Sequence, residues 1–188
     1  GFTREQLEHL DDVNFEGELS KILVCKEFYE EKYGVSIPVI AAGGVFDRTD
    51  INHVLDLGVD GVQIASRFVA TEECDASPAY KQAYIQAKEE DIAIIQSPVG
   101  MPGRALRSPL IRRVEAGTQP PPERCMKCIV TCDGKNAPYC ISKALIAARN
   151  GDWENGLFFC GAAGGEVNTL STVPEQMAQI MDEWRSAQ

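Results

Sequence analysis

Histidine is scarce in this sequence, with two residues, His9 and His53, among 188. His9 lies in a polar, acidic stretch and His53 on a predicted outer helix, so we predict that neither is a catalytic base. No apolar run approaches the length of a membrane-spanning helix, and the first residues do not resemble a signal peptide. Basic residues are also in deficit, at 18 against 28 acidic ones, for a formal net charge of −10. This balance argues against a nucleic-acid or anionic-membrane partner, although it leaves room for a small phosphate pocket.

Cysteine occurs seven times, and this odd number argues against a closed disulfide framework. Free thiols without an export signal favour a reducing compartment, so we expect a cytoplasmic location. The chain opens on Gly1, and its first residues read as the middle of a longer sequence. We therefore expect a segment of a larger protein, or a processed one.

Helical and strand patterns alternate in the first half of the chain. The periodicity predicts a helix over 18–32, a buried strand over 37–41, a helix from Thr49 to Gly58 and a strand over 61–65. This order is typical of a βα unit, so a parallel sheet or barrel with outer helices is the predicted α/β architecture.

The second half is less regular. We predict helices over 78–90, 110–116, 142–150 and 173–187, an apolar run over 91–96 and a Gly/Pro loop over 97–108. Three parts follow: a barrel part over 1–96, a loop-rich and Cys-rich insertion over 97–151, and a return segment over 152–188 whose helix packs on the barrel. The whole C-terminal extension is predicted to be Cys-rich and mostly helical.

A phosphate site is predicted where the two strands end. Gly43 and Gly44 follow the first strand directly, and a turn without side chains can wrap an anion with backbone N–H groups. The second strand ends at Ile64, Ala65 and Ser66, and Ser66 is predicted to cap a short helix. In (β/α)8 barrels the loops after the last two strands build such a site. The alternative is a tight βα turn with no ligand.

The motifs PVIAAGG, GVDGVQIASRFVATEE, SPVGMPGRALRS and GLFFCGAAGG closely resemble the nitronate monooxygenase family, formerly called 2-nitropropane dioxygenases. The same family includes flavin-dependent enoyl-acyl carrier protein reductases. The resemblance covers about residues 37–177. It implies the C-terminal portion of a (β/α)8 barrel, with flavin mononucleotide (FMN) at the rim.

The resemblance also implies residue roles. Gly43 and Gly44 would contact the FMN phosphate, and the stretch from Gln63 to Ser66 stands where the family has a Gln-x-Gly-Thr type sequence. Ala65 and Ser66 replace the more usual Gly and Thr, but both are small and Ser66 keeps the hydroxyl. The family's catalytic histidine would precede Gly1, so no catalytic residue is expected in this segment. Alone it should be inactive and poorly stable unless the missing N-terminal barrel half or a complementing chain completes it.

The resemblance implies an oxidoreductase that oxidises alkyl nitronates with oxygen, or alternatively an enoyl thioester reductase that uses NAD(P)H. The loops over 97–108 and 161–165 would border the small-molecule substrate. A third phosphate-binding barrel, of the inosine-monophosphate dehydrogenase type, needs a catalytic cysteine on a loop before the phosphate turn. The only upstream cysteine, Cys25, falls within a predicted helix, which disfavours that interpretation.

Four cysteines follow the pattern C-x2-C-x3-C-x7-C, namely Cys125, Cys128, Cys132 and Cys140. Four thiolates suit Zn²⁺ or an iron–sulfur cluster, and a metal would constrain a Pro-rich segment that has little core. The alternative is that reduced cysteines pack as small apolar groups. A non-enzymatic metal-binding module is therefore a further functional hypothesis. Cys25, Cys74 and Cys160 are predicted to be structural.

Overall fold

A computed structural model describes residues 14–100 and 102–187, so His9 lies outside the described residues. The helices are α1 (Phe15–Tyr33), α2 (Arg48–Asp56), α3 (Pro78–Gln86), α4 (Pro109–Glu115), α5 (Ile141–Arg149) and α6 (Val173–Ala187). The strands are β1 (Ile40–Ala42), β2 (Gly61–Gln63), β3 (Ile92–Gln96) and β4 (Pro102–Leu106). Short 3₁₀ turns cover Ser66–Phe68, Glu89–Asp91 and Ala162–Glu166. Across the described ranges, every helix is too short or too polar to cross a membrane.

The first half of the chain forms a parallel βα unit. β1 and β2 pair in parallel, from Ile40 opposite Gly61 to Ala42 opposite Gln63. Helix α2 connects them, as a parallel pair requires a crossover. Because both strands run the same way, their carboxyl ends meet at one edge of the sheet, and the segments that follow them become neighbours.

Helices cover one face of this unit. Its buried core consists of Leu19, Ala41, Val45, Ile51, Val54 and Val59. Trp184 of α6 packs against this core, and Arg48 of α2 donates a hydrogen bond of 3.0 Å to the backbone oxygen of Ser186. The last helix therefore packs directly on the barrel part of the chain.

The opposite face of the strand pair is open. Ala41 is buried, but Ile40 and Ala42 on either side of it are exposed. Parallel strands in α/β proteins are normally covered on both faces. The β1–β2 pair thus leaves one face uncovered, as expected for an incomplete parallel sheet or barrel.

A β-hairpin organises the second half. β3 and β4 pair antiparallel, from Ile92 opposite Leu106 to Gln96 opposite Pro102. One buried cluster joins the hairpin to α4 and α5 and includes Ala93, Ile95, Leu110, Ile111 and Ala144. A second cluster joins it to α3 and includes Tyr84, Leu106, Ala148 and Phe158.

Several local predictions are wrong. The loop predicted over 97–108 contains strand β4, which completes the hairpin with β3. Asp47 rather than Thr49 caps α2, because its carboxylate accepts a hydrogen bond of 2.7 Å from the Thr49 N–H. The helix predicted over 78–90 ends at Gln86, since Ala87 takes an extended backbone conformation.

The C-terminal extension is also less helical than predicted. It contains strand β4 and an irregular segment over 117–140, in addition to helices α4, α5 and α6. The predicted boundary at 96–97 coincides with the end of β3, at the start of the β3–β4 turn.

Candidate functional site

A cavity of about 370 Å³ opens where β1 and β2 end. Five of the six residues predicted to bind the cofactor line it, namely Gly43, Gly44, Gln63, Ala65 and Ser66. The loop over 161–163 forms another part of its wall. The turn after β1 and the segment after β2 therefore converge on one space, as the parallel strand order predicts.

The turn after β1 depends on its two glycines. Gly43 has a φ of 91° and Gly44 a φ of 75°, values at which a residue with a Cβ atom is strained. At both positions a Cβ atom would meet nothing within 4 Å. The turn therefore carries no side chains, and open space lies beside its backbone. In this arrangement backbone N–H groups can surround an anion.

Ser66 links two walls of the cavity. Its Oγ accepts a hydrogen bond of 3.2 Å from the backbone N–H of Gly161. The prediction that Ser66 caps the short helix is wrong, because Ala65 occupies the cap position and makes no side-chain cap bond. Ser66 is already the first residue of that turn, so its hydroxyl is free to hold the 161–163 loop against the end of β2.

Ile64 is the predicted cofactor residue that does not line the cavity. Its side chain packs instead against the buried core of the barrel part. Successive side chains of an extended segment point to opposite sides. Gln63 and Ala65 therefore face the cavity, whereas Ile64 faces the core.

Phe159 and Cys160 also line the cavity, and neither is predicted as a cofactor residue. Phe159 bridges to Ala105 of β4, and the Cys160 N–H donates a hydrogen bond of 3.0 Å to the Arg104 carbonyl. Their only sequence signal is their position just before the glycine-rich loop. Burial raises the pKa of the Cys160 thiol to about 11, against a smaller lowering by Arg104. The thiol is thus protonated at neutral pH and is a poor nucleophile.

The residues that line the cavity carry no charged side chain in the described part of the chain. Arg67 directly follows Ser66, but its guanidinium turns away toward α6, where it contacts Glu183 at 2.7 Å. An anion in the cavity would therefore be held by backbone N–H groups and hydroxyl or amide dipoles.

His53 lies on α2 with an exposed side chain, 3.3 Å from the carboxylate of Glu16. It does not line the cavity. The prediction that His53 is a surface residue is confirmed. Cys25 lies within helix α1, as predicted, and its side chain is exposed.

The four clustered cysteines line a second cavity, of about 160 Å³. All are free thiols. Partial burial, followed by the nearby thiols of Cys125, Cys128 and Cys140, raises the pKa of Cys132. Within residues 14–100 and 102–187, no group of three or more His, Cys, Asp or Glu residues is arranged to hold a metal ion.

A cavity at the carboxyl ends of parallel strands is typical of α/β proteins that bind their ligand at that end of the sheet or barrel. Comparison with known proteins then gives its family. The chain belongs to the nitronate monooxygenase family, whose model matches residues 28–183. It is thereby part of an oxidoreductase family.

Two curated relatives illustrate the similarity. A Mycobacterium tuberculosis protein, (3aS,4S,5R,7aS)-5-hydroxy-7a-methyl-1-oxo-octahydro-1H-indene-4-carboxyl-CoA dehydrogenase, is 33% identical over 103 residues, which cover 55% of this chain and 29% of the relative. A probable nitronate monooxygenase of Bacillus subtilis is 46% identical over 57 residues, covering 30% of this chain and 16% of the relative.

Two solved structures share the fold. FabK from Thermotoga maritima superposes with a TM-score of 0.67 at 27% identity, over 93% of this chain and 50% of FabK. Nitroalkane oxidase from Streptomyces ansochromogenes gives a TM-score of 0.66 at 20% identity, over 100% of this chain and 47% of that protein. The chain thus spans half or less of each of these proteins.

Proposed function

We propose that this chain supplies the phosphate-binding part of an FMN-dependent oxidoreductase. The observation that supports the proposal is the convergence of Gly43, Gly44 and Ser66 on one cavity at the carboxyl ends of β1 and β2. Barrel enzymes commonly build phosphate sites at this position, from the loops after the last two strands. Membership of the nitronate monooxygenase family favours a flavin nucleotide as the cofactor that carries this phosphate.

The cavity fits a phosphate ester. The space beside Gly43 and Gly44 is open, and the lining adds the hydroxyl of Ser66 and the amide of Gln63 as polar groups. A volume of about 370 Å³ suits part of a cofactor rather than a single ion. In the proposed complex the phosphate lies against the Gly43–Gly44 turn and the start of the 66–68 turn.

FMN, when bound, supplies the electron acceptor that amino-acid side chains lack. The chain's own residues bind and orient it. The hydrogen bond between Ser66 and Gly161 keeps two cavity walls at a fixed separation, and Phe159 adds an apolar surface that excludes water. Since Cys160 is protonated at neutral pH and His53 lies on the outer surface, we propose that the catalytic base comes from another part of the protein.

The open face of the strand pair supports a related proposal. Ile40 and Ala42 are exposed on the side that faces the interior of a complete barrel. We propose that further strands, from the same polypeptide or a complementing chain, cover this face and add the ring-binding part of the site. The chain alone is then expected to bind the phosphate end of FMN weakly and to be catalytically inactive.

The substitution Gly44→Ala should weaken FMN binding by about tenfold, or roughly 1.4 kcal/mol. The added Cβ atom enters the space that the phosphate is proposed to occupy, while no protein atom lies within 4 Å of it. Flavin fluorescence titration of the complete protein measures the affinity for FMN and for riboflavin in parallel. Riboflavin lacks the phosphate, so its affinity should change little.

Gly117→Ala is the matched control. Gly117 has a φ of 67°, close to that of Gly44, and its Cβ atom would likewise meet nothing within 4 Å. It follows α4 and does not line the cavity. Equal losses of FMN affinity in the two variants would attribute the effect to backbone strain and contradict the phosphate site.

Nitronate oxidation with oxygen is the proposed reaction, and reduction of an enoyl thioester by NAD(P)H is the second candidate. The similarity to FabK favours the second candidate, whereas curated probable nitronate monooxygenases favour the first.

The complete FMN-loaded protein separates the two reactions. Under anaerobic conditions, an alkyl nitronate should bleach the flavin absorbance without a nicotinamide, and oxygen should restore it. Bleaching by NADH or NADPH alone, followed by recovery only with an enoyl thioester, would reject nitronate oxidation and support the reductase.

A further inference from the structure

The four clustered cysteines form a site that the flavin proposal does not use. They line one cavity of about 160 Å³, between the irregular 117–140 segment and α5. Cys125 and Cys128 are exposed, and Cys132 and Cys140 are only partly buried. Cysteines that pack as small apolar groups are among the most buried residues. The exposure therefore argues against a packing role.

The part of the irregular segment that carries the first three cysteines contributes little to the apolar core, with Ile129 packing against it. Met126 and Val130, which lie between the cysteines, are both strongly exposed. Lys127, also between them, has a φ of 53°, a left-handed conformation that is unusual for a residue other than glycine. A bound metal centre would supply the constraint that such a segment lacks.

The charge around the cavity is opposite to that of the chain. Arg124, Lys127 and Lys143 line it, and none of its lining residues is acidic. The whole sequence has a net charge of −10, whereas the charged residues of this lining are all cationic. Asp133, which follows Cys132 in the chain, brings one carboxylate close to the cluster. A centre with four thiolate ligands is anionic, and these cations would offset its charge.

Polar groups lie within hydrogen-bonding distance of two of the sulfur atoms. The Lys127 N–H donates to Cys125 Sγ at 3.4 Å, and Ser142 Oγ lies 3.4 Å from Cys128 Sγ. Tyr139 lines the cavity and is 3% exposed. Its hydroxyl is buried without a hydrogen-bond partner in the described part of the chain. An unpaired buried hydroxyl is costly, and an anionic sulfur centre in this cavity would give it an acceptor.

We propose that Cys125, Cys128, Cys132 and Cys140 hold an iron–sulfur cluster. A single zinc ion requires every sulfur within about 2.3 Å of one point. The described cysteines line a common cavity, but no three of them are arranged around one ion. A cluster distributes its thiolates over several irons, so the sulfurs surround a larger open centre. Residues 125–140 are thereby a cofactor site independent of the FMN cavity.

The test is anaerobic reconstitution of the chain with ferrous iron and sulfide, followed by iron, zinc and acid-labile sulfide analysis. Bound iron and sulfide, with an electron paramagnetic resonance signal after dithionite reduction, are expected. Cys128→Ser should lose most of both, whereas Cys25→Ser, which replaces another exposed cysteine, should keep them. FMN affinity should be unchanged in Cys128→Ser, so this test is separate from that of the flavin site.

Tyr139→Phe provides a second measurement that does not depend on losing a ligand. Removal of the hydroxyl donor should make the reduction potential of the cluster more negative, because the donor favours the more anionic, reduced state. Reconstituted chain that holds neither iron nor sulfide, or that holds one zinc without sulfide, would overturn the proposal. Equal iron in Cys128→Ser and Cys25→Ser would overturn it as well.

Discussion

Arg67→Ala should lower the free energy of unfolding by about 3 kcal/mol, because it leaves the Glu183 carboxylate without its partner in a poorly solvated position. Arg67 is 5% exposed. Its guanidinium donates to Glu183 at 2.7 Å, to the Phe46 carbonyl at 2.9 Å and to Gln176 at 2.8 Å. It also lies over the ring of Phe46. These hydrogen bonds connect α6 to the segment after β2, so their loss should weaken the packing of α6 on the barrel part. Urea unfolding followed by tryptophan fluorescence measures the change, since Trp184 of α6 packs on the same core.

Two further variants identify the cause. Arg185→Ala removes an exposed α6 arginine that pairs with Asp182 at 3.5 Å, and such a surface pair contributes at most about 1 kcal/mol. Arg67→Met combined with Glu183→Leu removes both charges and should recover part of the loss, because an apolar pair of similar volume leaves no isolated carboxylate. A double variant no more stable than Arg67→Ala would contradict the ion-pair explanation.

The meeting of Gly44 and Ser66 at one rim can be predicted from the sequence. It depends only on chain order, which runs strand, glycine turn, helix and strand. Once the two strands pair in parallel, their carboxyl ends must be neighbours. The existence of helix α1 and its end at Gly34 are likewise predicted from local signals, and the structure confirms both.

The remaining parts of the site depend on contacts between distant residues. Ser66 and Gly161 are 95 residues apart, and no local pattern indicates that their atoms meet. Strand β4 was missed for a different reason, because its Gly and Pro content suggests a loop although its partner β3 is close in the sequence. The prediction named the whole stretch from Gln63 to Ser66, and only the structure shows that the Ile64 side chain within it packs on the core, since side-chain direction alternates along an extended segment.

Tyr84→Ala should have the largest effect on stability, a loss of about 4 kcal/mol in the free energy of unfolding. Tyr84 is 0% exposed and belongs to the cluster that joins α3 to the hairpin. Its ring lies beside that of Tyr80, with centroids 5.1 Å apart. Its hydroxyl donates to the Phe159 carbonyl and lies 3.0 Å from the Tyr80 hydroxyl. Removal of the side chain therefore leaves a cavity and also leaves the Phe159 carbonyl, in the wall of the cavity at the strand ends, without its donor.

Tyr84→Phe separates these two contributions. It keeps the ring and removes only the hydroxyl, so the expected loss is about 1–3 kcal/mol, the cost of leaving a buried acceptor unpaired. Tyr33→Ala is the control, because this α1 tyrosine is 61% exposed and should change stability by about 0.5 kcal/mol or less. Urea unfolding measures all three variants. Equal losses in Tyr84→Phe and Tyr84→Ala would mean that packing of the ring contributes nothing, and a loss in Tyr33→Ala as large as that in Tyr84→Ala would contradict the burial argument.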